Sequence, residues 1–151
     1  MKSKKTFEFV RWKDFSLINN FAKKKVLKNK NIFRYNFHSN KSDAQQLMLI
    51  FQKRGYFYPP KKFADTKKIY MLIKGKLCIY IFDKKGVMTK KYLLDKKNNI
   101  CIVNKNVYHL DTPLSADAIH CEVTFHKFSN RKIYFFKKKV EQKIIKKLFK
   151  F

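Results

Sequence analysis

Residues 69–94 read IYMLIKGKLCIYIFDKKGVMTKKYLL, and this stretch decides the fold. Ile69–Ile73 is an apolar run, Lys74-Gly75 interrupts it, and Leu77–Phe82 resumes it. Asp83-Lys84-Lys85-Gly86 then has the chemistry of a hairpin turn, because an Asp carboxylate accepts from nearby backbone amides and Gly tolerates positive φ. Val87–Leu94 returns as the partner strand. Working outward, Tyr56–Tyr58 is a further run, stopped by Pro59-Pro60. Downstream lie Ile100–Val103, Val107–Leu110 and Ala118–Phe125, with Ile133–Phe136 as a last strand. Asn98-Asn99, Asn104–Asn106 and Asp111–Pro113 punctuate them. Short strands at such regular spacing predict an all-β sandwich or barrel from Gly55 onward.

The flanks change character. Asp14 can cap a helix over 14–28, where Leu17, Ile18, Phe21, Ala22 and Leu27 fall near one face. Ser42 and Gln45 have capping-box spacing, and Leu47, Met48 and Phe51 supply an apolar stripe, so a second helix is expected over 43–51. In the tail, Val140, Ile144, Ile145, Leu148 and Phe149 share one helical face, opposite Lys143, Lys146, Lys147 and Lys150. The expected organisation is one globular domain: a helical segment 1–54 packed on a β-barrel 55–136, then a basic amphipathic helix 137–151.

Composition narrows the class. The chain has 151 residues, 45% of them hydrophobic and 17% aromatic, which suits a single packed core rather than disorder. No apolar run approaches the roughly 20 residues of a transmembrane helix. The basic start is followed by no signal-peptide core, so a cytoplasmic location is expected. Cys78, Cys101 and Cys121 are far apart in apolar runs, which reads as buried thiols in a reducing compartment. The formal net charge is +27, so anionic partners are favoured. The lysines are scattered among Asn, Ile, Phe and Tyr, a mixture that a composition bias also produces. They form no recognisable nucleic-acid-binding module, and nucleic acid ranks last among the partners.

Several pieces of this chain, in order, resemble the WbuC-type cupins, small proteins of bacterial O-antigen and surface-polysaccharide gene clusters. They are Arg34-Tyr35-Asn36-Phe37-His38, Asp43-Ala44-Gln45-Gln46, Gly55-Tyr56-Phe57-Tyr58-Pro59, Leu72–Leu77, Phe82–Gly86, Val107-Tyr108-His109 and Cys121-Glu122-Val123. The resemblance covers about residues 30–127. It implies a single cupin jelly-roll barrel and, in ordinary members, a metal held by two His and a Glu of a first motif and a His of a second. Here the two His positions fall on Pro60 and Lys62, and the Glu position on Lys68 or Lys67; only His109 remains. Proline offers no ligand atom and a lysine ammonium has no lone pair. No metal and no cofactor are therefore expected.

What the resemblance implies for the altered pocket is an anionic sugar or sugar-nucleotide ligand. Lys62 and Lys68 are candidate binding residues in place of the lost cation, or else solvated loop lysines. Arg34, Asn36 and His38 form a polar trio expected near the pocket, there to bind ligand or to staple the N-terminal segment. Glu122 is a candidate pocket base or a counter-charge to lysine. His109 with Tyr108 is the candidate catalytic pair of a metal-independent sugar-nucleotide isomerase or epimerase, and a relic ligand on the other reading. His120 and His126 carry no legible pattern. A homodimer, as is common among cupins, and an anionic membrane surface touched by 137–151 are further candidate partners.

Overall fold

The computed structural model describes residues 20, 31–38, 40, 42–56, 58–125 and 132–149. Its strands are β1 (Ile32–Asn36), β2 (Gln46–Lys53), β3 (Lys61–Phe63), β4 (Lys68–Phe82), β5 (Met88–Leu94), β6 (Ile100–Val103), β7 (Tyr108–Thr124) and β8 (Ile133–Phe135), followed by helix α1 (Lys138–Phe149). All strand pairings are antiparallel.

Two long strands organise the molecule. β4 has 15 residues and β7 has 17, and they pair along most of their length. Register shifts between Leu72 and Lys74 and between Gly75 and Leu77 bend β4 midway. Upstream of the bend the spatial order is β1-β2-β7-β4-β6; downstream it is β8-β3-β7-β4-β5. Each long strand thus serves both layers, the way strands turn a corner between packed sheets. Gly75 is required at the corner: its φ is +87°, and a Cβ there would lie 2.3 Å from the Asp117 carbonyl oxygen. The Lys76 amide donates to Ser115 Oγ at 2.8 Å across the same corner.

The inward faces enclose Tyr70, Leu72, Leu77, Ile79, Leu94, Val103 and Ala118. On the outer face of β1, β2 and β7, Leu49, Phe51 and Ile119 form a second cluster with Phe33, Tyr35 and Phe37. A third holds α1 in place. Val140, Ile144 and Leu148 lie with Phe82, Leu110 and Phe136, flanked by Tyr80 and Tyr108. Lys138, Lys139, Lys143 and Lys147 are exposed. The amphipathic tail is therefore a helix with its apolar face on the β structure. Among the described residues, no helix is long and apolar enough to cross a membrane.

Three expectations need correction. Residues 46–53, which overlap most of the helix expected over 43–51, are strand β2, and with β1 they make part of 1–54 sheet rather than helix. β2 is covered on both faces, so its apolar residues run together and mimic a helical stripe. Residues 56 and 58 are not in a strand, and the extended segment comes at β3 instead. Lys74-Gly75 and Asp111–Pro113 do not end strands; β4 and β7 pass through them. The helix expected over 14–28 falls, residue 20 apart, outside the described residues, as does His126.

Candidate functional site

Strand alternation builds a polar cluster inside the barrel. Cross-strand partners share a face, so Tyr70 opposite Glu122, Leu72 opposite His120 and Ile79 opposite Asp111 all look inward. On β3, Lys61 pairs with His109 and looks inward as well. The inner wall thus carries Lys61, Lys68, Tyr70, His109, Asp111, His120 and Glu122.

Lys68 is only 3% exposed, and its Nζ lies 2.6 Å from Glu122 Oε2. The other carboxylate oxygen is 3.6 Å from His120 Nε2. Burial alone would push the Glu122 carboxyl up, but Lys68 and then His120 override it and hold the group well below the usual carboxylate range. Tyr70 donates its hydroxyl to Asp111 Oδ1 at 3.1 Å. Burial first, then the Asp111 and Glu122 charges, push this phenol well above its ordinary value, so it stays a donor.

His109 Nδ1 lies 2.9 Å from the Val107 carbonyl, so Nδ1 carries the proton and donates it there. Burial, then the Lys68 charge, lower its pKa to about 4. Its Nε2 is consequently a bare acceptor in a neutral ring, and it has no hydrogen-bond partner among the described residues. Asp111 Oδ2 and Gln52 Oε1 are likewise buried and unpartnered among them. The Gln52 amide is spent on the Tyr56 carbonyl at 2.8 Å.

Two cations mark the edge of this cluster. The Arg34 guanidinium sits 4.5 Å from the centre of the Tyr58 ring, and Lys61 Nζ sits 4.4 Å from it. Burial first and Lys68 second lower the Lys61 ammonium to about 8.

The residues singled out in the sequence divide accordingly. Lys68, His109 and Glu122 come together inside the barrel. Arg34 and Asn36 lie on the edge strand β1, on the inward row through Ile50 and Met48. His38 Nδ1 lies 3.1 Å from the Leu47 carbonyl and staples β1 to β2. Lys62 does not join the cluster: its Nζ lies 5.2 Å from the Tyr108 ring and 5.3 Å from the Tyr134 ring, on the outer face. Tyr108 points outward too, stacked on Phe136 at 4.0 Å, so it is separated from His109. The tyrosine beside His109 is Tyr70, with ring centres 6.1 Å apart. Sequence reasoning missed Lys61, Tyr70, Asp111 and His120. Period-two alternation from His109 to Asp111 and from Glu122 back to His120 was the signal that could have found two of them.

The donor set does not suit a divalent metal. Ligand atoms of Asp111, His120 and Glu122 do lie within 4.8 Å of one another. Yet the Lys68 ammonium already contacts Glu122 at 2.6 Å and is too buried to leave, and Lys61 faces the same space. Two ammonium groups already offset the two carboxylates, so a dication would find no net negative charge to offset its loss of hydration.

Among solved structures the fold is similar to CapF, a capsular polysaccharide assembling protein from Staphylococcus aureus, with TM-score 0.62 and 13% identity over 72% of this chain and 33% of that one. It is similar to oxalate decarboxylase from Lactobacillus farciminis, with TM-score 0.57 and 7% identity over 81% of this chain and 37% of that one. It is also similar to the DMSP lyase DddQ from Ruegeria pomeroyi, with TM-score 0.55 and 10% identity over 70% of this chain and 51% of that one. The chain spans between 23% and 56% of the length of the first solved chains it resembles. These likenesses show a cupin fold and nothing finer. No curated protein matches. One family model matches residues 15–94, more than half of the chain, and the chain belongs to that family, described as a domain of unknown function, DUF6016.

Proposed function

We propose that the chain is a metal-free cupin-fold protein that binds an anionic sugar or sugar nucleotide in the barrel, serving bacterial surface-polysaccharide synthesis. The observation that carries this reading is the pairing of a cationic edge with an acceptor-lined interior. Arg34 and Lys61 flank Tyr58 and suit phosphate or carboxylate oxygens. Deeper, His109 Nε2, Asp111 Oδ2 and Gln52 Oε1 are buried acceptors with no partner among the described residues, and sugar hydroxyls are the donors they lack. The likeness to CapF and the sequence resemblance to WbuC-type cupins support the polysaccharide setting. Titration of UDP-glucose and dTDP-glucose at about 0.15 M salt tests the reading. Arg34→Ala and Lys61→Gln are each expected to weaken binding about tenfold, the loss of one charge-assisted contact. Lys62→Gln, on the outer face, is expected to change nothing. Equal affinity in all four proteins would overturn the proposal.

A second reading, a sugar-nucleotide isomerase or epimerase, is favoured by the proximity of His109 and Tyr70. Here Tyr70 takes the role first assigned to Tyr108. Proton exchange into the sugar ring in heavy water, followed by NMR and lost in Tyr70→Phe, would support it; no exchange in the wild type would end it.

A further inference from the structure

We propose that Lys61 is an imine-forming amine that captures an anionic aldehyde or ketone, such as the open-chain form of a sugar phosphate, at the edge of the barrel. The inference rests on the pocket reading above and adds a covalent step to it.

The geometry is that of a held, desolvated amine which a ligand can still reach. The Lys61 backbone is fixed by pairing with His109 of β7 on one side and Phe135 of β8 on the other. Its Nζ lies over the Tyr58 ring at 4.4 Å and 6.0 Å from the centre of the Phe63 ring, so apolar faces replace much of its water. The residue is nevertheless only half-buried, unlike Lys68 behind it. Lys68 is committed to Glu122 at 2.6 Å, whereas no salt bridge is found for Lys61 among the described residues. A lysine made less basic by apolar surroundings and a second ammonium is a recurrent way to expose an amine lone pair at neutral pH. With a pKa of about 8, about a tenth of the Lys61 amine is neutral at pH 7. For an ordinary lysine that fraction is about one part in 2,500. Arg34, whose guanidinium lies over the same tyrosine ring at 4.5 Å, is placed to hold the anionic end of the reactant.

The step balances without an oxidant or reductant. The Lys61 lone pair forms the N–C bond while the carbonyl π pair moves to oxygen. That oxygen takes a proton and the nitrogen releases one, giving a carbinolamine. Loss of water then gives the imine.

The test uses the full chain, glyceraldehyde 3-phosphate as probe, and sodium cyanoborohydride to reduce any imine to a stable amine. Peptide mapping follows the adduct. The expected result is adduct on Lys61 more than tenfold faster than on any other lysine at pH 7, with a rate that rises to half its plateau near pH 8. Lys61→Arg keeps the charge and should lose the fast phase. If Lys61 is labelled no faster than the surface lysines in the folded wild type, the proposal is wrong. Nucleotide-sugar binding without selective trapping would remove this step alone. Selective trapping without nucleotide-sugar binding would keep the amine and remove the sugar-nucleotide ligand.

Discussion

At His109 the surroundings choose the protonation state, and that choice is readable as stability. The ring is 2% exposed and its Nδ1 proton is committed to the Val107 carbonyl. Its folded pKa, about 4, lies below the unfolded value of 6.5. Above pH 6.5 both states hold the ring neutral and the group contributes nothing to the pH slope. Between pH 6.5 and 4 the unfolded chain takes up a proton that the folded chain refuses, so stability falls as pH falls. Integrated over that window the loss is about 3 kcal/mol. Urea midpoints measured from pH 7 to 4.5 should fall in the wild type and fall much less in His109→Phe. A parallel slope in the two proteins would mean that the ring is not the cause. The neighbouring lysines show why the sequence located this site only in part. Counting along the motif places Pro60 and Lys62 at ligand positions, while the strand turns Lys61 and Phe63 inward. A strand has period two, so an error of one residue exchanges inner for outer at every position. Lys68, His109 and Glu122 lie on the long strands β4 and β7, where a longer pattern leaves less room for such a slip.

At the scale of the element, the tail helix is a lid on the β structure rather than a free amphipathic arm. Ile144 is 4% exposed and lies in one cluster with Phe82, Leu110 and Phe136. The helix also rests on the β4–β5 turn: Gly86 has φ +83°, and a Cβ there would come within 2.4 Å of Val140 Cγ1. A carboxylate placed at Ile144 would lose this apolar burial and enter a dry contact. Ile144→Asp is therefore expected to lower stability by about 3–5 kcal/mol, against nearly nothing for the exposed Lys143→Ala, in chemical denaturation. A loss under 1 kcal/mol for Ile144→Asp would show that the helix is not bound to the barrel in solution. While the helix is docked, Val140, Ile144 and Leu148 are occupied, and a membrane could meet only its lysine-rich side. The helix itself was legible because its two faces differ so sharply in chemistry. β2 was not legible, because burial on both faces erases the alternation by which a strand is recognised. The turn before it is held by Asn40 and Asp43, with the Asn40 amide donating to Asp43 Oδ2 at 3.1 Å. Asx and Ser residues that tie a turn this way are the same types that cap a helix, so the capping-box spacing misled.

For the whole molecule the dominant fact is +27 charges on 151 residues. Among the described residues, lysine–carboxylate bridges are confined to the buried Lys68–Glu122 pair and the exposed Lys74–Asp117 pair at 3.7 Å. With 37 Lys and Arg against ten Asp and Glu, most of the positive charge has no counter-charge in the chain, and its mutual repulsion favours expansion. Screening should relieve it, because charges further apart than the Debye length cease to interact, and that length shrinks from about 30 Å at 0.01 M salt to about 10 Å at 0.1 M. The melting temperature is expected to rise by several degrees as sodium chloride is raised from about 0.01 to 0.3 M; for a chain of this size about 1 kcal/mol shifts it by 2–4 °C. The proposed ligand should behave differently. A nucleotide sugar that binds through Arg34, Lys61 and the buried acceptors should still raise the melting temperature at 0.3 M, where diffuse attraction is screened, and should stop doing so in Arg34→Ala. Inorganic phosphate at the same concentration carries the charge without the hydroxyls, and its stabilisation should fade with salt. A melting temperature indifferent to salt would mean that the lysines are too dispersed to strain the fold. A sugar nucleotide and phosphate that fade together would reduce the anion preference of the pocket to the charge of the whole chain.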